Sequence, residues 1–208
     1  MSEHVDAQVM WNERYSESDR IWTGRPNARL VETVSGLTPG RALDLGCGEG
    51  GDARWLAHQG WHVLAVDISD TALQRAAADA GELAAHIDFQ RIDLTQNFPD
   101  GTFDLVSAQF LHSPVPWDRE RLLRRAADAV APNGTLFIVD HGEAPPWADQ
   151  LAKHVHVFPS AQEVLDGLGL DLTRWDIVRA EAATREATGP NGEAGHLLDN
   201  VIVVRRTG

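Results

Sequence analysis

The sequence contains very little cysteine and no long apolar run, and both absences restrict its class. Cys47 is the single cysteine, so an internal disulfide cannot form and a zinc site built from several cysteines is excluded. No run approaches the roughly 18 to 20 apolar residues that a membrane span requires. The start of the chain, residues 1–6, is polar and acidic, unlike a secretory signal. We therefore expect a cytoplasmic protein without a membrane partner.

Basic residues are also scarce. The chain has 18 Lys and Arg residues against 31 Asp and Glu residues, which gives a formal net charge of -13. An acidic surface repels the phosphate backbone of a nucleic acid, so we expect no nucleic-acid partner. The 208 residues are enough for one domain with a buried core. We predict that residues 1–37 of this single domain form an N-terminal cap and that residues 38–208 form its core.

Short β-rich runs alternate with helical patterns along most of the chain. The predicted strands of this series are residues 41–45, 62–66, 87–92, 103–108 and 136–139. Five such alternations predict a doubly wound α/β fold with a parallel sheet. Asn133 and Gly134 predict a turn before the fifth strand. Residues 175–180 and 197–204 predict two further strands, which we expect to form an antiparallel pair.

The first forty residues precede this sheet. They contain two predicted helices, at residues 7–14 and 28–35, with an aromatic and polar segment between them. Ligands of open α/β sheets bind beyond the carboxyl ends of the strands. We interpret the N-terminal region as a helical cap over that edge.

A glycine-rich turn after the first strand is the sharpest functional signal. Residues 43–51 read LDLGCGEGG, and such glycines allow a tight turn and a close approach of backbone to ligand. Asp67 ends the second strand about twenty residues later, where a carboxylate can accept hydrogen bonds from both hydroxyls of a ribose. Gly46, Gly48 and Gly51 also fit the spacing of a dinucleotide site, so the turn alone leaves the cofactor open.

These residues resemble the class I S-adenosylmethionine-dependent methyltransferases. Residues 44–50 follow that family's D/E-x-G-x-G-x-G motif, and residues 132–134 stand where the family usually has Pro-Gly-Gly before its fifth strand. The resemblance implies a mostly parallel seven-stranded sheet with the last strand antiparallel, S-adenosylmethionine as cofactor, and methyl transfer as the activity. It implies cofactor-binding roles for Asp44, Gly46, Cys47, Gly48, Asp67, Ile68, Asp93 and Leu94.

The N-terminal region resembles a narrower group, the tellurite-resistance and thiopurine methyltransferases. The matching residues are the run 11–15, Trp22 and the run 24–27. In that group N-terminal aromatic residues close over the cofactor, so Tyr15 and Trp22 are predicted to bind it. Aromatic faces attract a cation such as the sulfonium. Core packing explains Trp11 equally well, and Arg25 is either a ligand for the cofactor's carboxylate or a solvated surface residue.

The ends of the fourth and fifth strands are the predicted site of a small-molecule methyl acceptor. Gln109 is a candidate contact of the cofactor, or a polar residue that only ends its strand. His112 is the candidate general base, because an imidazole titrates near neutral pH. His141, after the fifth strand, is a second candidate. For both histidines the alternative is a purely structural hydrogen bond.

The sequence predicts no metal site. His154 and His156 stand two residues apart, so a strand would place both on one face. No third ligand is evident, and we expect these histidines to lie on a half-exposed strand.

Two other functions fit part of the pattern. The glycine spacing and Asp67 also suit an NAD(P)-dependent oxidoreductase. The Asp93-Leu94 pair and the absence of a catalytic lysine and tyrosine pair argue against it, since Tyr15 is the only tyrosine. A regulator that binds S-adenosylmethionine without catalysis would keep the same motifs, and methyl-transfer turnover distinguishes it from the enzyme.

Overall fold

The computed structural model describes residues 6–144, 146–147, 158–189 and 191–208. His154 and His156, with the strand predicted for them, lie outside the described residues. The described residues form an α/β fold with helices packed on both faces of a central sheet.

The sheet has seven strands in the order β3-β2-β1-β4-β5-β7-β6. The first five strands run parallel to one another, and β7 pairs antiparallel with both β5 and β6. This arrangement confirms the predicted doubly wound, mostly parallel sheet. The strands are β1 Arg41–Leu45, β2 His62–Asp67, β3 Ile87–Arg91, β4 Phe103–Gln109, β5 Val130–His141, β6 Trp175–Thr188 and β7 Ala194–Arg206.

The helices begin at capping residues that the sequence marks clearly. Ser69 and Asp118 each accept a hydrogen bond from a backbone N–H of the first turn, and Ser160 forms a capping box with Glu163. Within the described ranges no helix is both long and apolar enough to cross a bilayer. The helices are α1 Ala7–Ser16, α2 Ala28–Val34, α3 Gly51–His58, α4 Asp70–Ala80, α5 Arg119–Asp128 and α6 Ala161–Gly167, and a 3-10 helix covers Gly81–His86.

The inner strands are buried on both faces. Val106 and Ile138 point into one core, which α5 and α6 cover, whereas Leu105 and Phe137 point into the other, which α2 and α3 cover. All four side chains are fully buried. Burial on both faces explains why these strands read as continuous apolar runs.

Asn133 and Gly134 lie inside β5, so the turn predicted before this strand is wrong. In the ladder between β4 and β5, Phe103 pairs with Val130 and Leu105 pairs with Thr135. The extra β5 residues between Val130 and Thr135 form a bulge. Asn133 has a φ of 64°, which bends the strand. The residue types that favour a turn also favour a bulge, because both need left-handed backbone.

The hairpin of β6 and β7 is longer than the sequence predicts. β6 starts at Trp175 as predicted but continues to Thr188, and β7 extends past residues 197–204 at both ends. The β5–β7 ladder ends at the pair His141 and Asp199, so the tip of the hairpin continues past the carboxyl end of β5. Trp147 packs on this tip, since a Cβ on Gly195 would lie 2.8 Å from its ring. The hairpin therefore forms a wall beside the carboxyl edge of the sheet.

Hydrogen bonds fasten the two predicted cap helices to this edge. Asn12 Oδ1 accepts a 2.8 Å hydrogen bond from the Ser69 hydroxyl at the start of α4. Arg29 Nε donates to Asp199 Oδ2 at 3.3 Å, and Arg29 Nη2 donates at 3.0 Å to the carbonyl oxygens of Ala183 and Thr184. The cap thus contacts both an early helix and the last strand.

Candidate active site

The glycine-rich turn lies at the carboxyl ends of β1 and β2. Gly46, Gly48 and Gly50 have φ values of 72°, 51° and 75°, where L side chains are strained. The N–H groups of Gly46 and Cys47 donate to the Val66 carbonyl at 2.8 and 3.0 Å. Left-handed backbone at every second residue explains the motif, because a residue with a side chain would be strained at each of these three positions.

Asp67 fixes this turn from the end of β2. Its Oδ2 accepts a 2.9 Å hydrogen bond from the Gly48 N–H, and its Oδ1 accepts one of the same length from the Ser69 N–H. Burial raises the pKa of Asp67, although these backbone donors oppose the shift. The carboxylate therefore joins the glycine-rich turn to the start of α4.

Asp44 places a second buried carboxylate beside the turn. It is 3% exposed, and its Oδ2 has no hydrogen-bond partner among the described residues. Burial, with the nearby charges of Asp52 and Asp67, raises the pKa of Asp44 well above its usual value. An acceptor atom in this state would gain from a ligand that donates a hydrogen bond or carries positive charge.

Asp52, which the sequence analysis did not single out, completes an acidic cluster with Asp44 and Asp67. Asp52 Oδ1 accepts a 2.6 Å hydrogen bond from the Asn27 N–H, and its Oδ2 accepts one of 2.8 Å from Gln109 Nε2. Burial raises the pKa of Asp52 to about 6, against the effect of the Asn27 donor. Gln109 Oε1 is buried without a partner in the described structure, so Gln109 keeps a free acceptor near the turn.

Tyr15 and Trp22 meet above the glycine-rich turn. Trp22 Nε1 donates a 3.2 Å hydrogen bond to the Tyr15 hydroxyl. A Cβ on Gly48 would lie 2.8 Å from that hydroxyl and 3.4 Å from Trp22 Nε1. Tyr15 is buried, which raises its pKa, whereas Trp22 is 53% exposed. The two aromatic side chains of the cap therefore lie beside the glycine-rich turn, and their contact with a cofactor stays a prediction.

Glu49 holds the cap in this position, a role that the sequence did not reveal. Its buried carboxylate accepts hydrogen bonds from the N–H groups of Ile21 and Trp22, at 3.2 and 2.9 Å, and from Arg75 at 2.9 Å. The only sequence signal is its place inside the glycine motif. Arg25, the candidate carboxylate ligand, is exposed.

The residues predicted to flank the base of the cofactor lie at the ends of β2 and β3. The Ile92 N–H donates to the Asp67 carbonyl at 3.0 Å, which places Asp93 and Ile68 on adjacent strand ends. The Asp93 carboxylate accepts two hydrogen bonds from Thr95 and so contacts its own turn rather than the glycine-rich turn. Leu94 is buried in the core.

A second polar cluster lies at the carboxyl ends of β4 and β5. Asp140 is 1% exposed, and its Oδ1 accepts a 2.5 Å hydrogen bond from Arg119. His112 Nε2 lies 3.3 Å from the same oxygen. Burial would raise the pKa of Asp140, but His112 and Arg119 outweigh this effect and lower it. Asp140 therefore stays ionised at neutral pH.

His141 lies next to His112 but differs in its surroundings. The two rings are stacked, with centroids 6.2 Å apart, and Phe110 lies 4.4 Å from the His141 ring. Burial, with the charge of His112, lowers the pKa of His141 to about 4. His141 is therefore neutral at physiological pH.

Phe110 connects this cluster with the glycine-rich turn. Its φ of 48° is unusual for a residue other than glycine and marks a strained backbone. The next residue, Leu111, lies over the turn, since a Cβ on Gly46 would be 2.5 Å from its Cδ1. His112 follows directly, so the strained backbone brings the candidate base close to the turn.

Comparisons with known proteins agree with this geometry. Residues 42–134 match a family model of a methyltransferase domain. A sarcosine/dimethylglycine N-methyltransferase of Halorhodospira halochloris is 34% identical over 69% of this chain and 51% of its own length. A ubiquinone biosynthesis O-methyltransferase of Pasteurella multocida is 29% identical over 52% of this chain and 49% of its own length. Ribosomal RNA small subunit methyltransferase C of Alcanivorax borkumensis is 30% identical over 63% of this chain and 43% of its own length. The chain spans about half the length of these relatives.

Solved structures share the fold. A protein studied for the conversion of a disulfide bond into a thioacetal group during echinomycin biosynthesis has a TM-score of 0.72 and 26% identity, over 96% of this chain and 93% of its own. NodS of Bradyrhizobium japonicum, in complex with S-adenosylhomocysteine, has a TM-score of 0.66 and 19% identity, over 98% of this chain and 100% of its own. TehB of Haemophilus influenzae has a TM-score of 0.61 and 15% identity, over 98% and 68%.

The glycine motif, the strand order and these likenesses show the class of protein. Residues 42–134 match a methyltransferase domain, and the chain is similar to the class I S-adenosylmethionine-dependent methyltransferases. The predicted resemblance to that family is confirmed, and the tellurite-resistance protein TehB shares the fold.

Proposed function

We propose that this protein transfers a methyl group from S-adenosylmethionine to a small-molecule acceptor. The observation that carries the proposal is the convergence of the glycine-rich turn with Asp44 and Asp67 at the carboxyl ends of β1 and β2. This edge is where ligands of open α/β sheets bind.

The residues of this edge fit S-adenosylmethionine. The cofactor carries an ammonium and a sulfonium, and Asp44 and Gln109 offer buried acceptor oxygens that have no partner in the described structure. Asp67 would accept hydrogen bonds from ribose hydroxyls, and the left-handed glycines bring backbone without side chains to this edge. Ile68, Asp93 and Leu94 would flank the adenine, while Cys47 packs within the turn. Tyr15 and Trp22 would cover the sulfonium.

When bound, S-adenosylmethionine would supply the methyl group: the acceptor's lone pair would form the new bond to the methyl carbon as the carbon–sulfur bond breaks, with S-adenosylhomocysteine as the leaving group. The protein's part is to position the acceptor and exclude water. Tyr15 and Trp22 close one side of the site, and the β6–β7 hairpin forms another. His112 takes the proton from a hydroxyl or a protonated amine, because these groups are poor nucleophiles until the proton is removed.

Relatives support a small molecule as acceptor without agreeing on the acceptor atom. Two of them are named for N- and O-methylation of small molecules, and one is named for ribosomal RNA. The net charge of -13 favours the small molecule over RNA. We further propose that the cap and core form one domain and that the protein works in the cytoplasm, since a lone cysteine suits a reducing compartment.

Calorimetric titration with S-adenosylmethionine, S-adenosylhomocysteine and NAD tests the cofactor. We expect micromolar binding of the first two ligands and at least about tenfold weaker binding by Asp44→Asn and Asp67→Ala. Asp44→Asn is the sharper variant, because the Oδ2 that it alters has no partner to lose. Asp88→Asn, at an exposed position of β3, is the matched control.

The same titration distinguishes the alternatives. Binding of NAD in place of the other ligands would contradict the proposal and favour an oxidoreductase. Tight binding of S-adenosylmethionine without turnover of any thiol, phenol or amine would favour a regulator that binds the cofactor without catalysis.

A further inference from the structure

Two stacked histidines line the acceptor side of the site, but only one of them has a carboxylate partner. Neither His112 Nε2 nor His141 Nδ1 has a hydrogen-bond partner within the described structure. However, His112 Nε2 lies 3.3 Å from Asp140 Oδ1, whereas no carboxylate pairs with His141 among the described residues. This difference separates the roles of two residues that the sequence treats alike.

We propose that Asp140 is a positioning residue that holds His112 as the general base, an inference that rests on the proposed methyl transfer. Asp140 accepts a hydrogen bond from the His112 Nε2–H, which leaves the lone pair on Nδ1. The proton of the acceptor's O–H or N–H moves to Nδ1, and its bonding electrons stay on the acceptor atom as the nucleophile. The resulting imidazolium is stabilised by the Asp140 carboxylate.

Arg119 makes this arrangement rigid. Its Nη2 donates to Asp140 Oδ1 at 2.5 Å, and its Nε donates to the Leu111 carbonyl at 2.8 Å. One guanidinium thus fixes both the carboxylate and the backbone that leads into His112. The His112 N–H also donates to the Phe110 carbonyl at 2.8 Å, which tightens the same turn. A planar guanidinium suits such a double contact, because its donors are held in a fixed geometry.

The accessibility of each group agrees with its role. The His112 side chain is 22% exposed, whereas that of Asp140 is 1% exposed. The imidazole can therefore reach an acceptor, and the carboxylate can act only through the imidazole. The 3.3 Å separation is long for a hydrogen bond, as is common for catalytic pairs before a ligand is bound, and we expect it to shorten in the complex.

His141 is excluded from the same role by its environment. The ring packs against Phe110 and His112, and among the described residues no carboxylate forms an ion pair with it, whereas Asp140 lies 3.3 Å from His112. A base must hold the proton that it removes, at least transiently. His141 therefore serves as a neutral neighbour of the acceptor, and His112 is the base.

Nitrogen-15 NMR of the histidine rings tests the pairing without knowledge of the acceptor. Spectra are recorded on the ligand-free protein and with S-adenosylhomocysteine, and His112→Gln assigns the His112 signals. We expect a solvent-protected Nε2–H resonance from His112 that moves downfield with S-adenosylhomocysteine and is lost in Asp140→Asn. Asp88→Asn should leave it unchanged.

Two NMR results would overturn the inference. These are a His112 ring protonated on Nδ1 in the wild-type protein, and a protected Nε2–H that persists unchanged in Asp140→Asn. The wild-type spectrum alone decides the first, so the test stands even if Asp140→Asn fails to fold. Failure of S-adenosylhomocysteine to bind would count against the proposed function instead, and the ligand-free spectrum would still test the pairing.

Kinetics provide the second test, once a panel of phenols and thiols has yielded acceptors. Asp140→Asn should lower kcat about 10- to 100-fold for a phenol, with the KM for S-adenosylmethionine unchanged. The loss should be much smaller for a thiol, because a thiol ionises near pH 8.5 without a base. Equal losses for phenol and thiol would assign Asp140 a structural role only.

Discussion

Gln109, the last residue of β4, donates a 2.8 Å hydrogen bond to Asp52 in the first turn of α3, 57 residues earlier in the chain. The contact joins the glycine-rich turn to the strand end that leads to His112. It also leaves Asp52 as an acceptor in a partly buried cluster of carboxylates. The protonation of Asp52 therefore affects both the stability of the fold and the charge of the site.

The first prediction concerns stability against pH at Asp52. Its pKa is raised to about 6 in the folded protein from an ordinary value of 3.8, so between about pH 4 and pH 6 the folded state binds more protons than the unfolded state. This group therefore makes stability fall as pH rises through that window. Urea unfolding measures the free energy of unfolding across this window. In Asp52→Asn that free energy should fall by roughly 1–3 kcal/mol less than in the wild type, whereas Asp88→Asn should behave like the wild type. Parallel pH profiles of Asp52→Asn and wild type would contradict the prediction.

The second prediction has the opposite sign and concerns His141. Its pKa is lowered to about 4 from 6.5, so between those values the unfolded state binds more protons. The contribution of His141 to stability is complete above about pH 6.5 and is lost as pH falls towards 4. His141→Asn should therefore reduce acid sensitivity in that window by roughly 2 kcal/mol, allowing for partial exposure. An acid transition as steep as that of the wild type would show that His141 is not held neutral.

The third prediction separates backbone strain from crowding in the glycine-rich turn. Gly48 and Gly169 have similar φ values, 51° and 62°, but a Cβ would meet Tyr15 at Gly48 and open space at Gly169. Gly169→Ala should cost about 1–2 kcal/mol in unfolding free energy from strain alone. Gly48→Ala should cost more and should weaken S-adenosylhomocysteine binding at least about tenfold. Equal stability and equal affinity of the two variants would refute the crowding.

The fourth prediction concerns the anchor of the cap. Glu49→Gln removes the charge that binds Arg75 and weakens the hydrogen bonds to the Ile21 and Trp22 N–H groups. We expect the free energy of local unfolding of the cap to fall by about 1–3 kcal/mol, because hydrogen bonds to a buried carboxylate are weakened. Limited trypsin digestion should then cleave faster after Arg20. Glu17→Gln, which alters an exposed ion pair, is the control and should digest like the wild type.

Much of the fold follows from local sequence. Ser69 and Ser160 signal helix starts through short-range hydrogen bonds, and the structure confirms both. The buried strands are equally visible, since burial on two faces leaves apolar runs. Asn133 misled the prediction because left-handed backbone serves a turn and a bulge alike, and only pairing with β4 decides between them.

The site divides in the same way. Asp67 and the glycine-rich turn are close in sequence and carry a recognisable spacing. Glu49, Asp52 and Asp140 take their roles from partners 20 to 60 positions away, at Trp22, Gln109 and Arg119, and no local pattern announces such contacts. The local sequence around a buried acidic residue does not differ from that around an exposed one, because its partner is distant in the chain.

The link between Arg29 and Asp199 has a consequence for the order of folding. The two residues are 170 positions apart, so their ion pair cannot form until Asp199 has left the ribosome. Closing so long a loop is slow, and nearer contacts form earlier. The contact of Arg29 with the hairpin therefore forms after the cap contacts of Glu49 and Ser69. A nascent chain lacks the hairpin wall of the site until β7 is in place.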